Sequence, residues 1–264
     1  MIVLGSASHA EKRRRQVVVE GNVFYKSEWL ETDQDPILSP TVFMVEQPPD
    51  TTLYAHFHAE NQFQVFVEGE GRIGSHAIRA VTVHYAGAYT GYGPLISGPE
   101  GLSYFTIRSV FETGTMPVTD RSKMVRGPKR HFSTDPMPLA GAETIAALAA
   151  VETQDLIPLQ PDGISARVLR LPPGAQASGI DPATGGGQFH VVLNGGLLHE
   201  KTELGRWESL FVSSDEKPYI ITAGAAGLEV LCLQLAPKDP VYVEAKRNAM
   251  SPPPVGMPKG DLAP

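Results

Sequence analysis

The chain carries a single cysteine, Cys232, in 264 residues. An intramolecular disulfide is therefore excluded, and a reducing compartment is the expectation. Cys232 lies in the apolar run Leu228-Glu229-Val230-Leu231-Cys232-Leu233, which predicts a buried, inert thiol. Charge is also scarce: Asp, Glu, Lys and Arg make up 19% of the residues, and the formal net charge is −7. So acidic a balance gives nucleic acid no electrostatic footprint, and no nucleic-acid partner is expected. No apolar run is long enough to span a bilayer. The basic cluster Lys12 to Arg15 follows the few apolar residues at the start instead of preceding them, unlike a signal peptide. The expectation is a cytoplasmic protein with no membrane partner. What the chain does have is turn-formers, 26 Gly and 23 Pro, beside 42% hydrophobic residues. That combination fits an all-β protein better than a helical one.

An internal repeat organises the sequence. Gln62-Phe63-x-Val65-x-x-x-Gly69 returns 126 positions later as Gln188-Phe189-x-Val191-x-x-x-Gly195. Gly101-Leu102 returns at the same spacing as Gly227-Leu228, and Pro48-Pro49 returns 124 positions later as Pro172-Pro173. Short apolar runs bounded by turn residues predict strands in both halves. They are Val17-Val19, Val42-Val45, Gln64-Val67, Val81-Tyr85 and Tyr104-Val110, then Ala166-Leu171, His190-Leu193, Ser209-Val212, Tyr219-Thr222 and Leu228-Leu235.

The segment richest in chemistry is His56-Phe57-His58-Ala59-Glu60-Asn61-Gln62. In a strand, residues two apart share a face, so His56 and His58 project side by side, with Tyr54 behind them. If the chain turns back after His58, Gln62 reaches the same point from a partner strand. Such a set can hold a divalent metal with open positions. The spacing His-x-His, three residues, a side-chain donor, six residues, Gly resembles the first motif of the cupins, with Gln62 where that family has Glu. The second cupin motif, Pro-x-Gly followed two residues later by His, survives in Tyr85-Ala86-Gly87-Ala88-Tyr89-Thr90 only as its Gly, and Thr90 stands in the ligand position. With the repeat, the chain resembles a bicupin.

That resemblance implies an all-β fold: two tandem double-stranded β-helix (cupin or jelly-roll) barrels with a short helical linker. The expected units are 1–112, the first barrel with an N-terminal arm; 113–150, a linker with one helix near Ala142-Ala150; 151–236, a degenerate second barrel; and 237–264, a Pro-rich tail. The resemblance also implies one divalent transition metal (Fe, Mn, Ni or Zn) on His56, His58 and Gln62, and association into homodimers. Two roles are open for Gln62: a neutral amide ligand, which leaves the ion at full charge and favours an anionic substrate, or a barrel hydrogen-bonder. His84, on the strand entering the second motif, is the better candidate for a further ligand, and His76 the lesser. His84 or Glu60 is a candidate base, and Tyr92, between Gly91 and Gly93, a candidate catalytic wall residue. Tyr54, Tyr85, Tyr89, Gln64 and Phe66 are candidate walls or plain barrel filling. In the second barrel the aligned segment Asp181 to Gly187 has no histidine pair, so a structural role is expected there. Two functions compete. One is a metal-dependent enzyme of dioxygenase, isomerase, lyase or cyclase type acting on a small acidic or aromatic molecule. The other is a non-catalytic small-molecule-binding bicupin.

Overall fold

The computed structural model describes residues 1–19, 21–32, 38–111 and 114–250, and it is built on two large antiparallel sheets. In spatial order the first sheet runs His131–Ser133, Thr82–Ala86, Gln62–Ile73, Leu95–Arg108, Thr41–Gln47, Asn22–Leu30 and Arg15–Val19. The second runs Ile2–Gly5, Ser209–Val212, Gln188–His199, Ile220–Gln234, Ser165–Leu171 and Glu152–Ile157. The order within each sheet is the same once the repeat spacing is applied, so duplication in the sequence is duplication in space. Every strand expected from the apolar runs overlaps an observed one.

The repeat landmarks meet at one corner of each barrel. Gly69 pairs with Leu102, and Gly195 with Leu228. Both glycines have φ of +74°, and a Cβ on either would collide with the carbonyl oxygen of Gly101 or Gly227. Gly101 and Gly227 lie in turn against Pro49 and Pro173. Only glycine tolerates both the backbone conformation and the close approach, which is why this signature outlasts the rest of the repeat.

Strand alternation sorts each run into two interiors. Phe63, Val65, Val67, Phe105 and Ile107 face the other barrel and join Val168, Phe189, Val191, Leu231 and Leu233 in one shared core. The intervening Gln62, Gln64, Thr106 and Arg108 are buried on the other face, inside the first barrel. Both faces being buried explains why the strands read as nearly continuous apolar runs.

One edge of each sheet is closed by a segment from outside the repeated strands. Ile2–Gly5, from the expected N-terminal arm, pairs with Ser209–Val212, and His131–Ser133, from the expected linker, pairs with Thr82–Ala86. Covering an edge in this way removes a row of unpaired backbone groups. The helix Ala142–Ala146 lies where the linker helix was expected. Ala7–Arg13 forms a second helix, capped by the Ser6 hydroxyl, which accepts from the His9 N–H at 3.3 Å. A third, Pro240–Met250, falls in the segment read as tail, and its Tyr242 is buried with the hydroxyl donating to the Pro128 carbonyl at 2.7 Å. Residues 251–264 of that expected tail lie outside the described residues. Among the described residues, no helix is long and apolar enough to cross a membrane.

Candidate functional site

Backbone pairing assembles the site inside the first barrel. Gln64 is paired with Thr106 on one side and His84 on the other. His56 bridges to Tyr92 through both main-chain hydrogen bonds, at 3.1 and 3.0 Å, which sets their side chains together. The Tyr92 ring lies 4.6 Å from that of His56, 5.3 Å from His84 and 6.3 Å from His58. Gly93 makes this possible: its φ is +96°, and its α-carbon turns against Ala55. Tyr54 departs from the expected alignment. The strand breaks after Leu53, the Tyr54 side chain is 64% exposed, and only its carbonyl serves the site.

Hydrogen-bond valence gives the polar groups one direction. Arg108, wholly buried, donates from Nε at 3.0 Å and Nη2 at 2.6 Å to Gln62 Oε1. That orients the amide so that Gln62 Nε2 donates to the Tyr92 hydroxyl at 2.7 Å. The hydroxyl then donates to His56 Nε2 at 2.8 Å, and His56 Nδ1 donates to the Tyr54 carbonyl at 2.7 Å. His58 Nδ1 lies 3.1 Å from both the Gly114 carbonyl and Arg108 Nη2, contacts that demand opposite tautomers. The charge-assisted bond from the guanidinium is the stronger and selects the accepting nitrogen. His84 Nδ1 meets the Ser133 hydroxyl at 2.8 Å, while its buried Nε2 has no hydrogen-bond partner among the described residues. Burial, with His131 and His76 nearby, lowers the His84 imidazole to about 3, so the ring is neutral at physiological pH.

Of these groups, His56, His58, Tyr92 and Arg108 open onto a cavity of about 120 Å³, whose polar lining also includes Lys26 and Gln64. Phe24 and Phe43 form part of its apolar wall, and no carboxylate is among the described residues lining it. The remaining expected site residues fall elsewhere. His76 Nε2 bonds to the Thr134 carbonyl at 2.9 Å, and Thr90 Oγ1 accepts from the Arg130 N–H at 3.3 Å. Glu60 is buried away from the cavity lining. Tyr85 joins the core between the barrels, and Tyr89 packs on Tyr242 with ring centroids 5.1 Å apart. Phe66 is filling, packed on Tyr104 at 5.3 Å. A larger cavity, about 360 Å³, lies between the barrels, but its Arg130 is already paired with Asp162 at 2.7 Å.

Two of the groups that matter were not singled out in the sequence: Arg108 and Lys26. Arg108 had one available signal. It is the lone charge in the apolar run Tyr104-Phe105-Thr106-Ile107-Arg108, on the inward parity of Thr106.

The metal that the resemblance implies can be tested against these donors. The Gln62 oxygen is taken by a permanently charged guanidinium, and the His56 nitrogen facing the barrel is taken by Tyr92. Among the described residues no cluster of three or more His, Cys, Asp or Glu side chains is placed to hold an ion. A divalent cation beside a buried guanidinium is electrostatically unfavourable unless an anionic donor offsets it, and none is among the described residues lining the cavity. Among the described residues the donor set, as arranged, does not fit a divalent metal.

The second barrel repeats the scaffold without the charge. Gln188 Nε2 donates to Gln234 Oε1 at 2.7 Å and to the Ile180 carbonyl at 3.0 Å. His190 Nδ1 meets Cys232 Sγ at 3.3 Å. Burial lowers His190 to about 4 and raises the Cys232 thiol to about 12, so both are neutral.

No protein-family profile matches the chain, and no curated protein matches it in sequence. Solved structures do match. A candidate dioxygenase from Nostoc punctiforme superposes with a TM-score of 0.61 at 11% identity, over 90% of this chain and 84% of its own. Oxalate decarboxylase from Bacillus subtilis, described with Mn(II) centres, gives 0.55 at 11% identity, over 89% and 77%. A bacterial pirin from Escherichia coli, in complex with nickel(II), gives 0.52 at 15% identity, over 90% and 100%. At these identities the likeness is one of fold: the chain has the cupin fold in its two-barrel form.

Proposed function

We propose that the first barrel binds a compact organic anion, held by the Arg108 guanidinium in place of a metal ion. The observation that carries this reading is the buried Arg108, fixed by two bonds to Gln62 and lining a cavity beside Lys26, which pairs with Glu28 at 3.4 Å, with no carboxylate among the described residues that line it. A buried guanidinium offers a forked set of donors that matches a carboxylate. The nonpolar wall takes the organic part of the ligand, and the small volume favours a compact one. Oxalate decarboxylase, one of the structural neighbours, is named for an anion of this class.

A second reading, a metal-dependent enzyme acting on a small acidic molecule, is favoured by one observation: the unpartnered His84 Nε2 beside Tyr92. Rotation of Arg108 and Tyr92 away from Gln62 and His56 would then precede metal binding.

Titration calorimetry with pyruvate, oxalate and malonate, run beside elemental analysis of untagged protein, separates the two. Anion binding in protein nearly free of transition metal, lost in Arg108→Gln, supports the first reading. About one equivalent of metal per chain, lost in His56→Ala and required for anion binding, overturns it in favour of the second.

A further inference from the structure

Gln64 lines the cavity and is 2% exposed, yet its Oε1 has no hydrogen-bond partner among the described residues. Strand pairing explains how the amide comes to stand there. Gln64 follows Gln62 by two residues on one strand, Thr106 precedes Arg108 by two on the next, and Gln64 and Thr106 are in register. The amide therefore lies one rung, about 7 Å, along the barrel from the bonded pair Gln62 and Arg108. Thr106 and Arg108 line the same cavity, so the two rungs open on one space. A buried amide oxygen without a donor carries a desolvation cost that nothing in the fold offsets. Such groups are rare, and a bound molecule that supplies the missing donor accounts for one that faces a cavity.

We infer that the cavity selects a hydroxy acid, with Gln64 accepting a hydrogen bond from the ligand hydroxyl while the carboxylate is held at Arg108. The inference rests on the anion-binding reading of this cavity and assigns the ligand class and a specificity-determining residue to it. A carboxylate offers only lone pairs, so a plain acid leaves Gln64 Oε1 unmet. The ligand must bring a donor of its own. An ammonium group would set a like charge beside the Arg108 guanidinium, with no carboxylate among the described residues lining the cavity to offset it. A hydroxyl donates without charge and adds little to a molecule confined to about 120 Å³. It also both donates and accepts, so it satisfies the amide whichever way oxygen and nitrogen are turned. The carbon skeleton between hydroxyl and carboxylate lies against the apolar wall of Phe24 and Phe43. Gln64 thus tells one anion from another and leaves the holding of charge to Arg108.

The test compares propanoate with lactate and 3-hydroxypropanoate, three acids of one chain length, by calorimetry on the full chain. In wild type the better of the two hydroxy acids should bind about tenfold tighter than propanoate. Gln64→Met, which keeps the length of the side chain and removes the acceptor, should reduce that ratio to about twofold or less. Its propanoate affinity should stay within about threefold of wild type, and a cooperative denaturation transition checks that it folds. The wild-type comparison stands without the variant. Equal binding of the three acids in wild type, or a preference undiminished in Gln64→Met, overturns the role of Gln64 and leaves the anion site standing. Absence of binding by these acids and by oxalate, pyruvate and malonate removes the anion site, and the inference with it.

Discussion

The two barrels share one hydrogen-bonded scaffold and differ in what it holds. At equivalent positions the first barrel pairs Gln62 with Arg108, and the second pairs Gln188 with Gln234. Gln64 and Thr106 of the first are His190 and Cys232 of the second, and His84 is matched by Leu210. At these positions the second barrel is thus neutral, and its amides bond to each other, to nearby backbone or to the Thr184 hydroxyl. The first has a cation at the same point and a cavity in front of it. Such a difference is informative because buried charge is costly and is kept where something compensates for it. The Gln188–Gln234 pair shows that this scaffold closes well without a charge. The scaffold that Gln62 shares with Gln188 therefore does not itself require a guanidinium at this point.

The harshest way to break the comparison is to transplant the charge. Gln234→Arg puts a guanidinium into a barrel where Gln188 is its natural acceptor but no cavity serves it. A loss of roughly 4 kcal/mol in unfolding free energy is expected from the uncompensated buried charge, read from urea denaturation midpoints. Unchanged stability would show that the second barrel also accommodates a cation. The reverse exchange, Arg108→Gln, should leave stability within about 1 kcal/mol, since a Gln–Gln pair is already proven by the second barrel. Its affinity for a bound carboxylate should fall by about 3 kcal/mol, measured by calorimetry with oxalate or pyruvate. Should affinity survive this substitution, the site of charge would have to be sought at Lys26.

How much of this was legible depends on whether a feature is carried by small, fixed residues. Gly69, Gly101, Gly195 and Gly227 sit where backbone touches backbone, so the duplication was readable from spacing alone. His56, His58 and Tyr92 line one cavity, and Gln62 bonds to Tyr92 beside it. Tyr54 was misjudged because alternation was carried through a strand that ends at Leu53. Arg108 was missed because no motif marks it; its meaning comes from the side chain it meets, 46 positions earlier in the chain. The helix Pro240–Met250 was hidden by the prolines around it, although Pro240 itself occupies a first-turn position where its missing N–H costs nothing.

Acid sharpens the contrast between the barrels. Burial lowers His190 to about 4 in the folded protein from an ordinary 6.5. Between those values the unfolded chain binds the proton and the folded chain does not. Stability is therefore full above 6.5 and declines as the pH falls toward 4, by roughly 3 kcal/mol from this group. His190→Gln, which copies Gln64 of the first barrel, should remove that part of the acid sensitivity. Denaturation midpoints compared at pH 7 and pH 4.5 would show it. A decline as steep in the variant as in wild type would place the acid-sensitive group elsewhere, with His84, lowered to about 3 by its own burial, the next to replace.

The smallest effect divides histidines within the first barrel. His76 lies on the strand that precedes, in the chain, the one that carries His84, yet its Nε2 ends on the Thr134 carbonyl at 2.9 Å and the residue does not line the cavity. His76→Ala should cost about 1 kcal/mol, the worth of one partly buried hydrogen bond, with no change in carboxylate affinity. His58→Ala removes an acceptor of the Arg108 guanidinium from the cavity wall, and the same titration should register it. If the two substitutions weakened binding alike, proximity in sequence and not hydrogen bonding to Arg108 would be what the histidines contribute. Of the histidines in the first barrel, His58 is the one recorded in contact with Arg108, at 3.1 Å.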